Sequence, residues 1–373
     1  MQFSQIVGLS QVKQSLAHSV KESHVAHAQM FLGTAGSANM AMALAYATFI
    51  NCENKQEEDS CGVCPSCIKM QKHIHPDVQY VFPTYSLGSG DKEKQRAELV
   101  ANWRSFLSQN PYSTLPDWAN HIQAENKQCI ISVDESRNIV KNISLKAFEG
   151  EYKMVFIWLP EMMNQSAANS ILKILEEPPA KTLFLLISND LESNLATIIS
   201  RTQIVTIPTY QANEVAETLQ QVFGISEEQA NHASQLEQNN VNEALKLCYG
   251  EESDSNVLFQ TWMRLCFTRN LTELVNLAED FQKLSKTNQK GLLQFGINMT
   301  RNLLLYQSDS DQLLRLKESE KVFVTNFSKV ITMDKMMAFS SSLNTAFFHL
   351  ERNANPKITF LDLSLNLSSL LKA

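Results

Sequence analysis

Two short apolar runs fix the class of fold open to this chain. Lys153 to Leu159 (KMVFIWL) and Thr182 to Ser188 (TLFLLIS) do not alternate apolar with polar residues, so both read as strands buried on two faces. Between them, Gln165 to Leu175 is free of helix breakers and runs into Glu176-Glu177-Pro178-Pro179, where the prolines cannot continue a helix. A third strand is expected at Ala28 to Leu32, followed by a glycine-bearing loop and a helix over Asn39 to Ile50. Strands that alternate with helices in this way require right-handed crossovers. The outcome is a parallel sheet covered by helices on both faces, in an α/β domain spanning about 1–209.

Other stretches are less regular. A helix carrying Val12, Leu16 and Val20 precedes the first strand, and a further strand is expected at Cys129 to Val133 with a helix from Glu135 to Leu145. Between about 82 and 128 a polar stretch is punctuated by Pro83, Gly88, Gly90, Pro111 and Pro116, which reads as an insertion. Trp103 and Trp118 are its apolar anchors, expected in local core because no basic residues interleave with them as on a base-stacking platform. After Pro208 short helical patterns take over. They predict a small helical lid at 210–252 and an all-α C-terminal domain at 253–373, which agrees with two or three domains in 373 residues.

Charge narrows the function. A net charge of -7 argues against a protein that holds DNA chiefly through its own basic surface, because neutralising phosphates takes clustered Lys and Arg. Any nucleic-acid role is therefore expected to be shared with partners. The chain begins without a basic segment followed by an apolar run, and no apolar stretch reaches the roughly 18 residues a membrane span needs, so a cytoplasmic location with no membrane partner is expected.

Seven cysteines, an odd number, do not suggest a disulfide framework in such a compartment. Four of them, Cys52, Cys61, Cys64 and Cys67, form a C-x8-C-x2-C-x2-C run with turns supplied by Gly62 and Pro65. Two-residue gaps let neighbouring thiolates point at one centre, and four sulfur ligands leave no open position, so the pattern predicts a structural Zn site in a module at about 50–75. Unligated thiols and an iron–sulfur cluster are the competing readings. His73 and His75 lie close by and are expected at the surface or beside the ligands.

Gly33-Thr34-Ala35-Gly36-Ser37-Ala38-Asn39-Met40 stands between strand and helix, where a phosphate loop of the form G-x-x-x-x-G-K-[ST] would lie. Ala38 takes the second glycine position, Asn39 the lysine position, and Met40 the position of the hydroxyl that holds Mg²⁺. Gly33, Gly36, Ala38, Asn39 and Met40 thus read as a degenerate loop.

The run Lys153 to Pro179 (KMVFIWLPEMMNQSAANSILKILEEPP) resembles the Walker B to L-K-x-L-E-E-P-P region of the bacterial DNA polymerase III clamp-loader subunits of the AAA+ superfamily, the delta-prime type in particular. Phe3 to Gly8 and His27 to Gly33 are similar to that family's I-x-G and H-A-x-L-F-x-G elements. The resemblance implies a RecA-like parallel sheet with flanking helices, then a helical lid and an all-α C-terminal collar. It places the Mg²⁺-binding Asp and the catalytic Glu of the family on Trp158 and Leu159, neither of which can hold metal or activate water. Glu161 follows at a helix start, where its charge suits the dipole.

Thr197 to Gln203 (TIISRTQ) resembles the family's T-I-x-S-R-C-Q motif, with Thr202 in place of cysteine. Through that resemblance Ser200 and Arg201 are expected to act in trans, Arg201 as an arginine finger toward ATP on a neighbouring subunit. An arginine met alone would instead cap a helix or pair with a carboxylate. Gln238 to Leu247 is similar to the family's G-x-x-x-x-A-L segment, without its glycine and without a second sensor arginine. Asn353 to Lys357, with the helix after it, is similar to the terminal collar helix.

These features imply a non-hydrolysing clamp-loader subunit, without intrinsic activity and without productively bound ATP, within the polymerase holoenzyme. Its implied partners are gamma/tau and delta subunits in a hetero-pentamer, the sliding clamp, and primed DNA through the assembly. An ATP-hydrolysing motor subunit would need the lysine and acids replaced here. A zinc-dependent nucleic-acid-binding regulator would need a basic face beside the cysteines, where Glu53, Glu57, Glu58 and Asp59 stand against Lys55.

Overall fold

The computed structural model describes residues 1–85, 92–124, 127–143, 147–237, 239–249, 254–284, 286–308, 318–352 and 354–372. The chain divides into two compact units, Met1–Cys248 and Tyr249–Ala373.

In the first unit, a 3-10 turn at Phe3–Gln5 and α1 (Ser10–Lys21) lead into β1 (Ala28–Leu32) and α2 (Asn39–Ile50). Then come α3 (Pro65–Gln71), β2 (Val78–Val81), α4 (Lys92–Gln109), α5 (Leu115–His121) and α6 (Val133–Ile143). The chain continues through β3 (Lys153–Trp158), α7 (Gln165–Glu176), β4 (Thr182–Ser188), α8 (Ala196–Ile199) and β5 (Gln203–Thr206). Three further helices, α9 (Ala212–Phe223), α10 (Glu227–Leu236) and α11 (Val241–Cys248), complete it.

Among the described residues the strands form one parallel five-stranded sheet in the order β2-β3-β4-β1-β5. Successive side chains of a strand point to opposite faces, and the central strands obey this rule. Met154, Phe156 and Trp158 join the core under α2, whereas Val155 and Ile157 join the core under α6 and α7. This is an α/β arrangement with both faces of a parallel sheet covered. Helix α2 is buried on every side, which its run of Ala, Met and Leu permits.

Several elements depart from expectation. The strand expected at Cys129–Val133 reduces to two isolated bridges, Thr84 with Ile130 and Ile131 with Met163. Val133 instead opens α6, because Ser132 Oγ accepts from Glu135 N (3.3 Å) and acids follow in the first turn. Helix α6 ends at Ile143, and Leu145 lies outside the described residues. Strands β2 and β5 have only four residues each, and β5 is a largely exposed edge strand, so neither shows a long apolar run. The 82–128 stretch holds two helices, although Gly88 and Gly90 lie outside the described residues.

Within that stretch, Trp103 stacks on Phe82 with ring centres 4.4 Å apart and meets Trp118 edge-on at 5.1 Å. Both tryptophans are buried, as expected of core. Their reach is wider than local, since Trp103 also packs against Trp158 of β3 at 5.0 Å.

Among its described residues the elements of the second unit are all helices: α12 (Asp254–Thr268), α13 (Leu271–Lys283), α14 (Lys286–Gln307), α15 (Glu318–Phe327), α16 (Met333–Glu351) and α17 (Pro356–Lys372). Phe360 lies between Trp262 and Phe281, with ring centres at 4.5 and 4.2 Å. Proline at the first turn of α17 suits the start of a helix, where its missing N–H is no loss, and Asn353 just before it lies outside the described residues.

Candidate functional site: phosphate loop, Arg201 and cysteine cluster

The loop from Gly33 to Ala38 joins the C-terminal end of β1 to α2. Gly36 adopts a left-handed φ of 78°, which calls for glycine, and the end of the Asn240 side chain lies against it. Ser37, Ala38, Asn39 and Met40 are all buried. The Asn39 amide donates to Asn189 Oδ1 (3.0 Å) and to the carbonyl of Ser188 (3.2 Å), while its oxygen accepts from Met40 N (2.8 Å). A side chain in the lysine position is thus bonded into the protein itself. From above, Asn240 donates to the carbonyl of Ala35 (3.3 Å).

At the end of β3, Trp158 is buried among Trp103 and Phe106, and Leu159, also buried, has a left-handed φ of 58°. Neither position offers an oxygen toward the loop. Glu161 sits in the 3-10 turn Pro160–Met162, and its carboxylate accepts from the backbone N–H of Asn189 (3.0 Å). Burial pushes the Glu161 carboxyl up.

Arg201 lies at the other end of the sheet. Gln203 of β5 pairs with Gln29 and Thr206 with Leu32, so the residue before β5 stands beside the start of β1, whereas the phosphate loop follows its end. At roughly 3.3 Å per residue the two sites are separated by roughly 15–20 Å along the strands. The Arg201 guanidinium donates from Nε to Glu176 Oε2 (3.2 Å) and from Nη1 to the carbonyl of Thr197 (3.0 Å) and to Ser200 Oγ (3.3 Å). Thr202 turns its hydroxyl back to the carbonyls of Ile198 and Ile199, so the missing cysteine leaves the guanidinium untouched.

The four cysteines converge. The sulfurs of Cys52, Cys61, Cys64 and Cys67 all lie within 4.8 Å of one another, and those of Cys61 and Cys67 are 4.0 Å apart. Four thiolates at about 2.3 Å around one ion would be separated by about 3.8 Å, so the set fits a tetrahedral metal. Backbone N–H groups of Cys61, Cys64 and Cys67 donate to the sulfurs of Cys52, Cys61 and Cys64, the kind of support a thiolate needs. Donors from Val63 and Cys64 pull the Cys61 thiol down to about 6, and burial raises those of Cys52 and Cys67.

His73 and His75 are not surface residues. Both are buried, His73 against the Tyr80 hydroxyl (3.2 Å) and His75 accepting from Asp77 N (3.2 Å). The acidic run beside the cysteines is partly structural: Asp59 accepts from Phe3 N and Ser4 N (2.9 Å each), and Glu53 from Ser66 N (3.2 Å).

The family described as "DNA polymerase III, delta subunit" matches residues 8–211, just over half of the chain. The chain belongs to this clamp-loader family. Its relatives include DNA polymerase III subunit delta' of Yersinia pestis, 30% identical over 186 residues, 49% of this chain and 42% of that protein. The corresponding subunit of Escherichia coli is 26% identical over 178 residues, 48% of this chain and 41% of that protein. Subunit tau of Salmonella typhimurium is 25% identical over 199 residues, 53% of this chain and 24% of that protein. The matched part therefore spans less than half the length of these relatives.

For a clamp-loader family member, three features of the site escape sequence reasoning. Asn189 follows β4 with nothing in its neighbours to mark it. Asn240 lies just before α11, in a segment whose first residue, Gln238, is outside the described residues. The third is a polar bridge from the 82–128 stretch to α11: Asp117 receives Lys246 Nζ and Asn242 Nδ2, both at 2.7 Å, and Asn110 donates to Asn242 Oδ1 (2.8 Å). Residues 125 apart in sequence carry no shared signal. Among the described residues no helix is long and apolar enough to cross a membrane.

Proposed function

We propose that this chain is a non-hydrolysing subunit of the DNA polymerase III clamp loader, which helps place the sliding clamp on primed DNA. One observation carries the reading: the amide of Asn39 occupies the lysine position of the phosphate loop and is bonded to Asn189 and Ser188, with no cation left to meet a phosphate there. Trp158 and Leu159 at the acidic positions support it, since neither an indole nor an alkyl chain can orient a metal or activate water.

In this reading Arg201, with Ser200 beside it, completes the ATP site of a neighbouring subunit. The opposite placement of Arg201 and the chain's own phosphate loop supports action in trans over action in cis. The four cysteines hold structural zinc, α9 to α11 form a lid at 210–252, and the helices of 253–373 form the collar that joins gamma/tau and delta subunits in a hetero-pentamer. The 82–128 stretch is an insertion that fixes the lid to the sheet. The assembly works in the cytoplasm.

The test is direct. The purified chain should show no metal-dependent ATP turnover, and a measurable rate rejects the non-hydrolysing assignment. Mixed with gamma/tau, delta, clamp and primed DNA, it should support ATP turnover that falls on Arg201→Ala. An unchanged rate in an intact assembly removes the trans role.

A further inference from the structure

The contacts of Arg201 carry one step more, resting on the reading of that residue as a finger in trans. We propose that Glu176 is its positioning residue: a carboxylate on the same chain that holds the guanidinium in the orientation a neighbour's nucleotide phosphate meets.

Glu176 is the last residue of α7, which cannot continue because Pro178 and Pro179 follow. A carboxylate at a helix C-terminus sits at the negative end of the dipole, an unfavourable place unless a cation lies beside it. Arg201 is that cation, with Nε 3.2 Å from Glu176 Oε2. The other contacts come from the opposite side, where Nη1 donates to Thr197 O and Ser200 Oγ of the α8 turn. The guanidinium is therefore gripped between two elements, the end of α7 and the turn before β5.

This grip uses Nε–H and Nη1, while Nη2 makes no hydrogen bond among the described residues. A planar fork fixed at two of its nitrogens presents the third as an ordered donor pair, and phosphate oxygens are the acceptors that fit it. The hold is also reversible. Glu176 is 59% exposed, and an ion pair open to water is weak enough for a phosphate to share the guanidinium without first breaking a buried contact. Holding the donor in place before the phosphate arrives lowers the reorganisation needed as charge develops, so the effect belongs to turnover more than to ATP binding.

The experiment uses the full chain in the assembled loader with clamp and primed DNA, with steady-state ATP turnover as the readout and gel filtration to show that each variant enters the assembly. Glu176→Gln should lower kcat about two- to fivefold, the loss that one solvent-exposed ion pair implies, with KM for ATP unchanged. Glu176→Asp, which keeps the carboxylate, should recover most of the rate. In an Arg201→Ala background, Glu176→Gln should have no further effect. If Arg201→Ala lowers turnover but Glu176→Gln does not, the positioning role is overturned while the finger stands. An equal Glu176→Gln loss with and without Arg201 also overturns it. Should Arg201→Ala itself change nothing, the finger falls and this inference falls with it.

Discussion

The Asn39 amide donates to Asn189 Oδ1 at 3.0 Å, so the residue in the lysine position of the phosphate loop faces the end of β4 instead of an open cradle. Asn39→Ala removes every one of those side-chain bonds from a buried site. It should cost about 1–3 kcal/mol, read as a lower midpoint in thermal or urea unfolding, because Asn189 and the Ser188 carbonyl then lose a partner. Asn39→Lys should fail to create ATP turnover, since Met40, Trp158 and Leu159 still offer no ligand for magnesium. A metal-dependent rate in that variant would show the site to be one substitution from activity.

Trp158 is held by aromatic packing at the end of β3. Its ring packs 5.0 Å from Trp103 and 6.1 Å from Phe106. Trp158→Ala should destabilise the chain by about 3–5 kcal/mol in denaturant titrations. Trp158→Asp should be worse, because it buries an unpaired carboxylate among aromatic rings, and it should gain no ATPase activity.

Metal analysis of the purified chain should find about one zinc per chain. Chelation should raise amide hydrogen exchange in residues 52–71 and leave β1, β3 and β4 protected, because the sheet has a core of its own. Cys67→Ser, at the fully buried ligand, should lower zinc content more than Cys129→Ser, which lies outside the cluster. Equal losses would deny the cluster its role.

Asp117 sets a pH dependence. Burial alone would raise its carboxyl, but Lys246 and Thr114 outweigh burial and hold it below the ordinary range. A depressed folded pKa means that the stabilisation is present above the unfolded value near ~3.9 and is lost as pH falls through the folded one. Asp117→Asn should therefore cost about 1–3 kcal/mol at neutral pH, with the gap to wild type closing on acidification below about pH 4. A gap that is constant from pH 3 to pH 7 would assign the loss to shape and not to charge.

The legible parts of the fold were those with dense local signal. Ala28–Leu32, Asn39–Ile50 and Thr182–Ser188 appear at the bounds their residues suggest, because dense apolar runs bounded by polar or glycine residues leave few choices. Strands β2 and β5 were missed for the opposite reason: each is only four residues long, and β5 is a largely exposed edge whose place is decided by its neighbour β1. At the site, the cysteine spacing and the lost loop lysine could be read from local residues. Glu176 beside Arg201, Asn240 over Ala35 and Asp117 against Lys246 could not, since each pair meets only after distant segments fold together. The grip on Arg201 matches what an isolated arginine would do, and sequence alone does not say that a carboxylate at the end of α7 provides it.

Helix α2 links two places that otherwise have nothing in common. Its twelve residues span about 18 Å, from the phosphate loop at one end to Cys52 just beyond the other, and none is more than 5% exposed. A strut sealed along its whole length has no wet side on which to bend or swell. Tension applied at the cysteine end must therefore either shift the rod as one piece or unwind its last turn, so the domain keeps a stiff mechanical connection from its four-cysteine cluster to the rim of its sheet.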